Sequence, residues 1–181
     1  MLLSKAKPFW PYAGIPVIGA TLLIVRLGQT DPFTLLRSEL IMVFGFIAAV
    51  TDLKTKRIPN GLIKVMLASW ALIMMPKLII HSGEGAALLK DSAFGFLIGG
   101  GLFLLVYLMS RKGLGGGDVK FMAAAGLFLG FGGTIQAMLV GTVLAAITGL
   151  VLILLKKIGR KDPIPLAPFL CIGIVLTIFF I

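Results

Sequence analysis

Cysteine and histidine are almost missing from this chain: Cys171 and His81 are the single examples of each in 181 residues. A lone thiol excludes an intrachain disulfide and a cysteine-rich zinc site, and with one imidazole beside it no metal constellation is visible. Cys171 sits in an apolar run and reads as a packed thiol, while His81 reads as a loop imidazole. Acidic side chains are scarce too, seven against 17 Lys and Arg, and charged residues of all kinds make up only 13%. Set against 59% hydrophobic residues, so little charge excludes a disordered chain, which shows the opposite balance. An ordinary soluble domain is excluded as well, because a chain of this length has too little interior to hide apolar runs that recur from end to end.

Those runs are what the chain has in place of polar surface. Apolar stretches of about 17 to 25 residues bounded by charge, Gly or Pro mark membrane-crossing helices. Seven are expected, near 12–27, 37–52, 61–80, 91–110, 118–132, 135–155 and 164–181, with the fifth and sixth meeting at Gly132-Gly133. The period-two alternation of a barrel strand is absent, so the expected fold class is an all-α polytopic membrane protein. The first run is not read as a signal peptide, since Arg26 and Pro32 stand where a small-residue cleavage site would be sought.

Thirteen of the 17 basic residues fall at one set of span ends, and Arg26, Arg37, Lys77 and Lys90 fall at the other. The positive-inside rule places the thirteen in the cytoplasm, with the N-terminus inside and the C-terminus outside. The net charge of +10 is then a topology signal and not a nucleic-acid patch, with membrane lipid headgroups as its natural contact.

The same frame sorts the acids. Asp31, Glu39, Glu84 and Asp91 accompany outer loops or span ends, and Asp162, between Lys161 and Pro163, reads as a solvated loop charge. Asp52 ends the run "LIMVFGFIAAVTD" and Asp118 opens "DVKFMAAAGLFLG", so each stands where a span meets the cytoplasmic interface. An ionised Asp at mid-membrane costs about 2.5–3.5 kcal/mol on the insertion scale. A boundary position lowers that cost while leaving the group partly dehydrated.

Before Asp118 stand Gly115, Gly116 and Gly117. Each glycine inside a helix costs about 1 kcal/mol relative to Ala, so the run is expected as an open turn beside which another chain can approach closely. "GLGGGDVK" lacks P-loop spacing, and its Asp would repel phosphate. After Asp52 comes "DLKTKRIPNG": Pro59 disfavours helix at Ile58, and Asn60 is expected to cap a helix starting at Gly61. "GFLIG" at 95–99 and "GLFLG" at 126–130 have GxxxG spacing and are expected to pack the protein's own helices together.

Taken together, "TDLKTKRIPN" and "GLGGGDVK" resemble the two signature regions of type IV prepilin peptidases, the bacterial branch of the GxGD intramembrane aspartyl proteases. Gly115, Gly117, Asp118 and Lys120 match Gly-x-Gly-Asp-x-Lys, while Asp52 is followed at short range by Ile58-Pro59-Asn60. "IPLAPFLCIG", residues 164 to 173, is similar to the Pro-rich opening of the family's last span. The resemblance covers about 37–181, which is expected as a six-helix catalytic core behind an N-terminal segment, 1–36, with one extra span.

The resemblance implies a peptidase of the prokaryotic cytoplasmic membrane that cleaves the basic leader from prepilins or pseudopilins, with Asp52 and Asp118 as the catalytic pair. Gly115 and Gly117 would let an extended substrate lie beside Asp118, and Lys120, Pro59 and Asn60 would shape the loops or meet substrate. Neither metal nor organic cofactor is required. Larger members carry an N-terminal region with paired CxxC motifs and can methylate the new pilin N-terminus; with Cys171 alone, methyl transfer is not expected here. The size is similar to that of small members serving tight-adherence (Flp-type) pili. Two carboxyl groups in a poorly hydrated site cannot easily both ionise, so the pair is expected to titrate as a unit. Two other readings compete: a small transporter or proton relay using the same Asp pair, and a non-catalytic assembly factor of a pilus or secretion apparatus.

Overall fold

The computed structural model describes residues 31–109, 114–157, 159 and 164–180. The expected first span, 12–27, and Asp162 lie outside them. Among the described residues the chain is all helix: α1 Pro32–Thr55, α2 Asn60–Ile80, α3 Ser82–Met109, α4 Gly116–Leu154 and α5 Ala167–Phe180. The first four are long and apolar enough to cross a membrane, and α5 is a shorter apolar helix. Leu72, Ile79, Leu97, Leu108 and Leu154 stand exposed, as side chains facing lipid do.

Local chemistry sets the helix ends. Asp31 is the N-cap of α1, accepting hydrogen bonds from the Thr34 backbone N–H at 3.1 Å and its hydroxyl at 2.7 Å. The Thr34 hydroxyl holds the Asp31 carboxyl below its ordinary range. Pro32 follows in the first turn, where its missing N–H costs nothing. At the other end Lys56 takes a left-handed conformation (φ 51°) and donates its N–H to the Asp52 carbonyl at 2.7 Å, stopping the helix just past Asp52.

The expected fifth and sixth spans lie within α4, which is broken at Gly130 (φ 72°, ψ −175°) and not at Gly132-Gly133. Only glycine adopts that backbone conformation readily. The chain folds back there. A methyl group placed on Gly99 of α3 would lie 2.5 Å from the Met122 carbonyl oxygen and 3.1 Å from Thr134 Cγ2, although a continuous helix would hold those two residues about 18 Å apart. Both limbs of α4 therefore run along α3, one on each side of the reversal. The Asp91 carboxylate of α3 accepts the Phe131 N–H at 3.0 Å and so caps the second limb.

The first limb is the centre of the molecule. Residues 121–128 are buried on every side, as a helix apolar all round must be. Phe121, Met122 and Phe128 pack against Ile41, Met42 and Phe44 of α1, Met66 of α2 and Leu170 and Ile174 of α5. The Phe44 and Phe128 rings meet edge to face, with centroids 6.0 Å apart. The two GxxxG stretches do pack helix on helix: a methyl on Gly95 would strike the Gly130 carbonyl at 2.8 Å, and one on Gly126 would fall 2.8 Å from the Phe96 nitrogen.

Candidate active site

Three helix ends and one connection gather at the same end of this bundle: the C-terminal turn of α1, the N-terminal turns of α4 and α5, and residues 56–59. Each brings one piece of chemistry.

Asp52 comes from the last turns of α1, and although ionisable it is only 6% exposed. Its Oδ2 accepts the backbone N–H of Ala167, at the start of α5, at 3.1 Å. The Leu166 N–H also acts on this carboxylate. An isolated carboxylate at that depth would be costly, and these donors offset the loss of water.

Asp118 lies in the first turn of α4. Its Oδ2 accepts the Gly115 N–H at 3.2 Å, reaching back over the helix start, where a negative charge also meets the positive end of the helix dipole. Its Oδ1 is buried and has no hydrogen-bond partner among the described residues. The charge of Asp52 acts on Asp118, so the two carboxyl groups, 66 positions apart in the chain, lie within electrostatic reach of each other.

The two loop motifs are also in contact. Lys120 donates from Nζ to Asn60 Oδ1 at 3.0 Å, tying the start of α4 to the start of α2. Gly117 lies against Ile58: a methyl there would fall 3.2 Å from Ile58 Cβ and 3.3 Å from its nitrogen. At Gly117 the close approach is made by Ile58.

Two expectations are corrected. Asn60 does not cap α2: Pro59 occupies the N-cap, no side-chain cap bond forms, and Asn60 is the first helical residue with its oxygen turned to Lys120. The glycine run is not wholly an open turn either. Gly115 is extended (φ −79°, ψ 138°), but Gly116 and Gly117 are the first two residues of α4. The glycine cost applies to a helix interior; in the first turn the N–H groups lack intrahelical partners in any case.

The residue that sequence reasoning missed is Ala167. Its contribution is a backbone N–H, which no residue type advertises, although the prolines on either side of "LA" in "IPLAPF" were a signal. Asp91 reads from the sequence as an acid of an outer loop or span end, which does not foretell its bond to Phe131 at the break in α4. Among the described residues no three His, Cys, Asp or Glu side chains are grouped to hold a metal ion. What the site offers is two carboxyl groups, one buried and one half-buried, beside a run of glycines, a set suited to moving protons to and from water.

Comparison with known proteins shows the family. Residues 40–154 match the type IV leader peptidase family. The chain is 27% identical over 134 residues to a prepilin leader peptidase/N-methyltransferase of Bacillus subtilis (strain 168), covering 74% of this chain and 51% of that protein. It is 30% identical over 145 residues to one of the same description from Burkholderia pseudomallei (strain 1026b), covering 77% and 46%. An Aeromonas salmonicida relative is 32% identical over 123 residues, covering 67% and 41%. The chain spans about half the length of the curated relatives it matches. No solved structure gives a significant match.

Proposed function

Because this chain belongs to the type IV leader peptidase family, we propose that it is an aspartic endopeptidase that removes the basic leader from type IV prepilins or pseudopilins. The reaction takes place at the cytoplasmic face of a prokaryotic inner membrane, with Asp52 and Asp118 as the catalytic pair. The observation that carries this reading is the gathering of two acids, Asp52 buried and Asp118 half-buried, each held by a backbone N–H, at one end of an apolar helical bundle. A lone buried acid has many structural explanations, whereas two that sense each other's charge need a reason to be kept together.

In the proposed reaction the ionised carboxylate takes a proton from a water molecule, whose oxygen attacks the scissile carbonyl carbon. The protonated carboxyl polarises the carbonyl oxygen and then assists departure of the amine. The scissile segment lies extended beside Gly115 at the start of α4, and the Lys120–Asn60 hydrogen bond holds the two loops in register around it. The chain has seven spans with its N-terminus inside; the reversal at Gly130 supports counting the two limbs of α4 as separate spans. The substrate is a membrane-inserted helix whose leader stays in the cytoplasm. Since this face of the protein is itself strongly basic, apolar packing of that helix against the spans supplies the affinity. Methyl transfer, part of the printed description of the relatives, is not assigned to this chain, which has one cysteine.

Coexpression with candidate prepilins, followed by immunoblotting for leader removal, tests the reading. Asp52→Asn and Asp118→Asn are each expected to lower cleavage by at least about 100-fold. Near wild-type cleavage by either variant sinks the pair. Intact prepilin with the wild-type protein, together with proton flux that either substitution stops, would move the assignment to a relay.

A further inference from the structure

The segment Ile164-Pro165-Leu166-Ala167-Pro168-Phe169 has no part in the reaction as drawn above, yet it touches one of its acids. Proline has no N–H, so between Pro165 and Phe169 the backbone donors are those of Leu166 and Ala167 alone. The Phe169 N–H already bonds the Leu166 carbonyl at 3.0 Å, and the Leu170 N–H bonds the same oxygen at 3.1 Å. What remains at the head of this 14-residue helix is the pair of amides that face Asp52. Ala167 is 0% exposed and carries only a methyl group, so the carboxylate can approach its N–H at 3.1 Å with water excluded.

We propose that the proline-framed start of α5 is a positioning element of the dyad. The Ala167 amide holds Asp52 in one orientation as the anion and leaves its second oxygen for the reacting water. A charge-assisted hydrogen bond in a dry site is strong and directional, and the bond joins residues 115 positions apart in the chain. Pro165 and Pro168 serve by subtraction: with no N–H of their own, they leave the adjacent Leu166 and Ala167 amides as the donors the carboxylate meets, and Ala167 makes the 3.1 Å bond. Ala167 is on this account a positioning residue that acts through Asp52 by its backbone.

The inference rests on the peptidase reading, and two measurements keep the fates of the two apart. The first is cleavage by purified protein. Ala167→Pro deletes the donor at the first position of a helix, where proline is tolerated. Exchange of Ala167 for lactic acid, which turns the amide into an ester and leaves the side chain in place, deletes it again. Each is expected to lower kcat about 10- to 100-fold with KM within about twofold. Ala167→Gly restores the N–H and should recover kcat to within about fivefold of wild type. Wild-type kcat in the ester protein, or an equal loss in Ala167→Gly, overturns the proposal. The second is the infrared carboxylate band of Asp52, isolated by subtraction of Asp52→Asn, which should shift on ester exchange whether or not a substrate is known. An unshifted band overturns the proposal; a shifted band in a protein that cleaves no prepilin leaves it standing while the peptidase reading falls.

Discussion

Replacing Gly130 with Ala tests whether the reversal in α4 is built as described. Two costs are expected. An L residue held at φ 72°, ψ −175° carries strain of about 1–3 kcal/mol. The added methyl would also overlap the Asp91 carboxylate that caps the second limb, and expelling that carboxylate forfeits a cap of about 0.5–2 kcal/mol. Gly130→Ala should therefore cost about 1.5–5 kcal/mol in all. Asp91→Ala should cost the cap alone. The double variant is the sharper measurement, because once Asp91 is gone the methyl meets no carboxylate and the cap is lost only once. Its cost should fall short of the sum of the single variants by the full value of the cap. Equilibrium unfolding in mixed micelles gives all three numbers. Strict additivity, or a Gly130→Ala protein within about 0.5 kcal/mol of wild type, would refute the link between the glycine and its cap.

Two further outcomes follow from the geometry. Lys120→Met and Asn60→Ala each remove one end of the 3.0 Å bond between the loop motifs; each should slow leader cleavage, and the double variant should be no slower than the worse single one, as a cleavage time course would show. A fully additive loss would mean that the two side chains act separately. Glycines of the same helices should respond oppositely to a methyl group: Gly126→Ala drives it into the backbone of Gly95 and Phe96 and should cost several kcal/mol, about 3 or more, whereas Gly101→Ala points into open space and should gain up to about 1 kcal/mol. Thermal stability in detergent reads both, and equal effects at the two sites would contradict the packing of α3 on α4.

How far the molecule was legible from its residues depended on whether the deciding partner was near in the chain. The apolar runs foretold α1 to α5 because hydrophobicity and length are local properties. Asp52 and Asp118 stood out because an acid at the edge of an apolar run is conspicuous wherever its partner lies. Asn60 was misread as a cap because capping rules consider the next three residues, and the group that claimed its oxygen was Lys120, 60 positions away. Likewise Gly130, Gly132 and Gly133 look alike as candidate breaks; Asp91, 40 positions earlier, is the partner that marks Gly130. The Ala167 amide was invisible for a different reason, since every residue but proline has one, and only the fold shows which amide has been left over for a side chain.

The first limb of α4, from Gly116 to Leu129, is about 21 Å long, while the hydrocarbon layer of a bilayer is about 30 Å thick. A strut that short cannot keep both of its polar ends, the Asp118 turn and the Asp91–Phe131 cap, at the headgroups of a flat membrane. Residues 121–128 are walled in by the other helices and not by lipid, so the shortfall leaves at least one of those polar ends below the level of the headgroups, inside the protein. For the proposed peptidase, the brevity of one helix would set how far below the membrane surface the reaction's water has to reach.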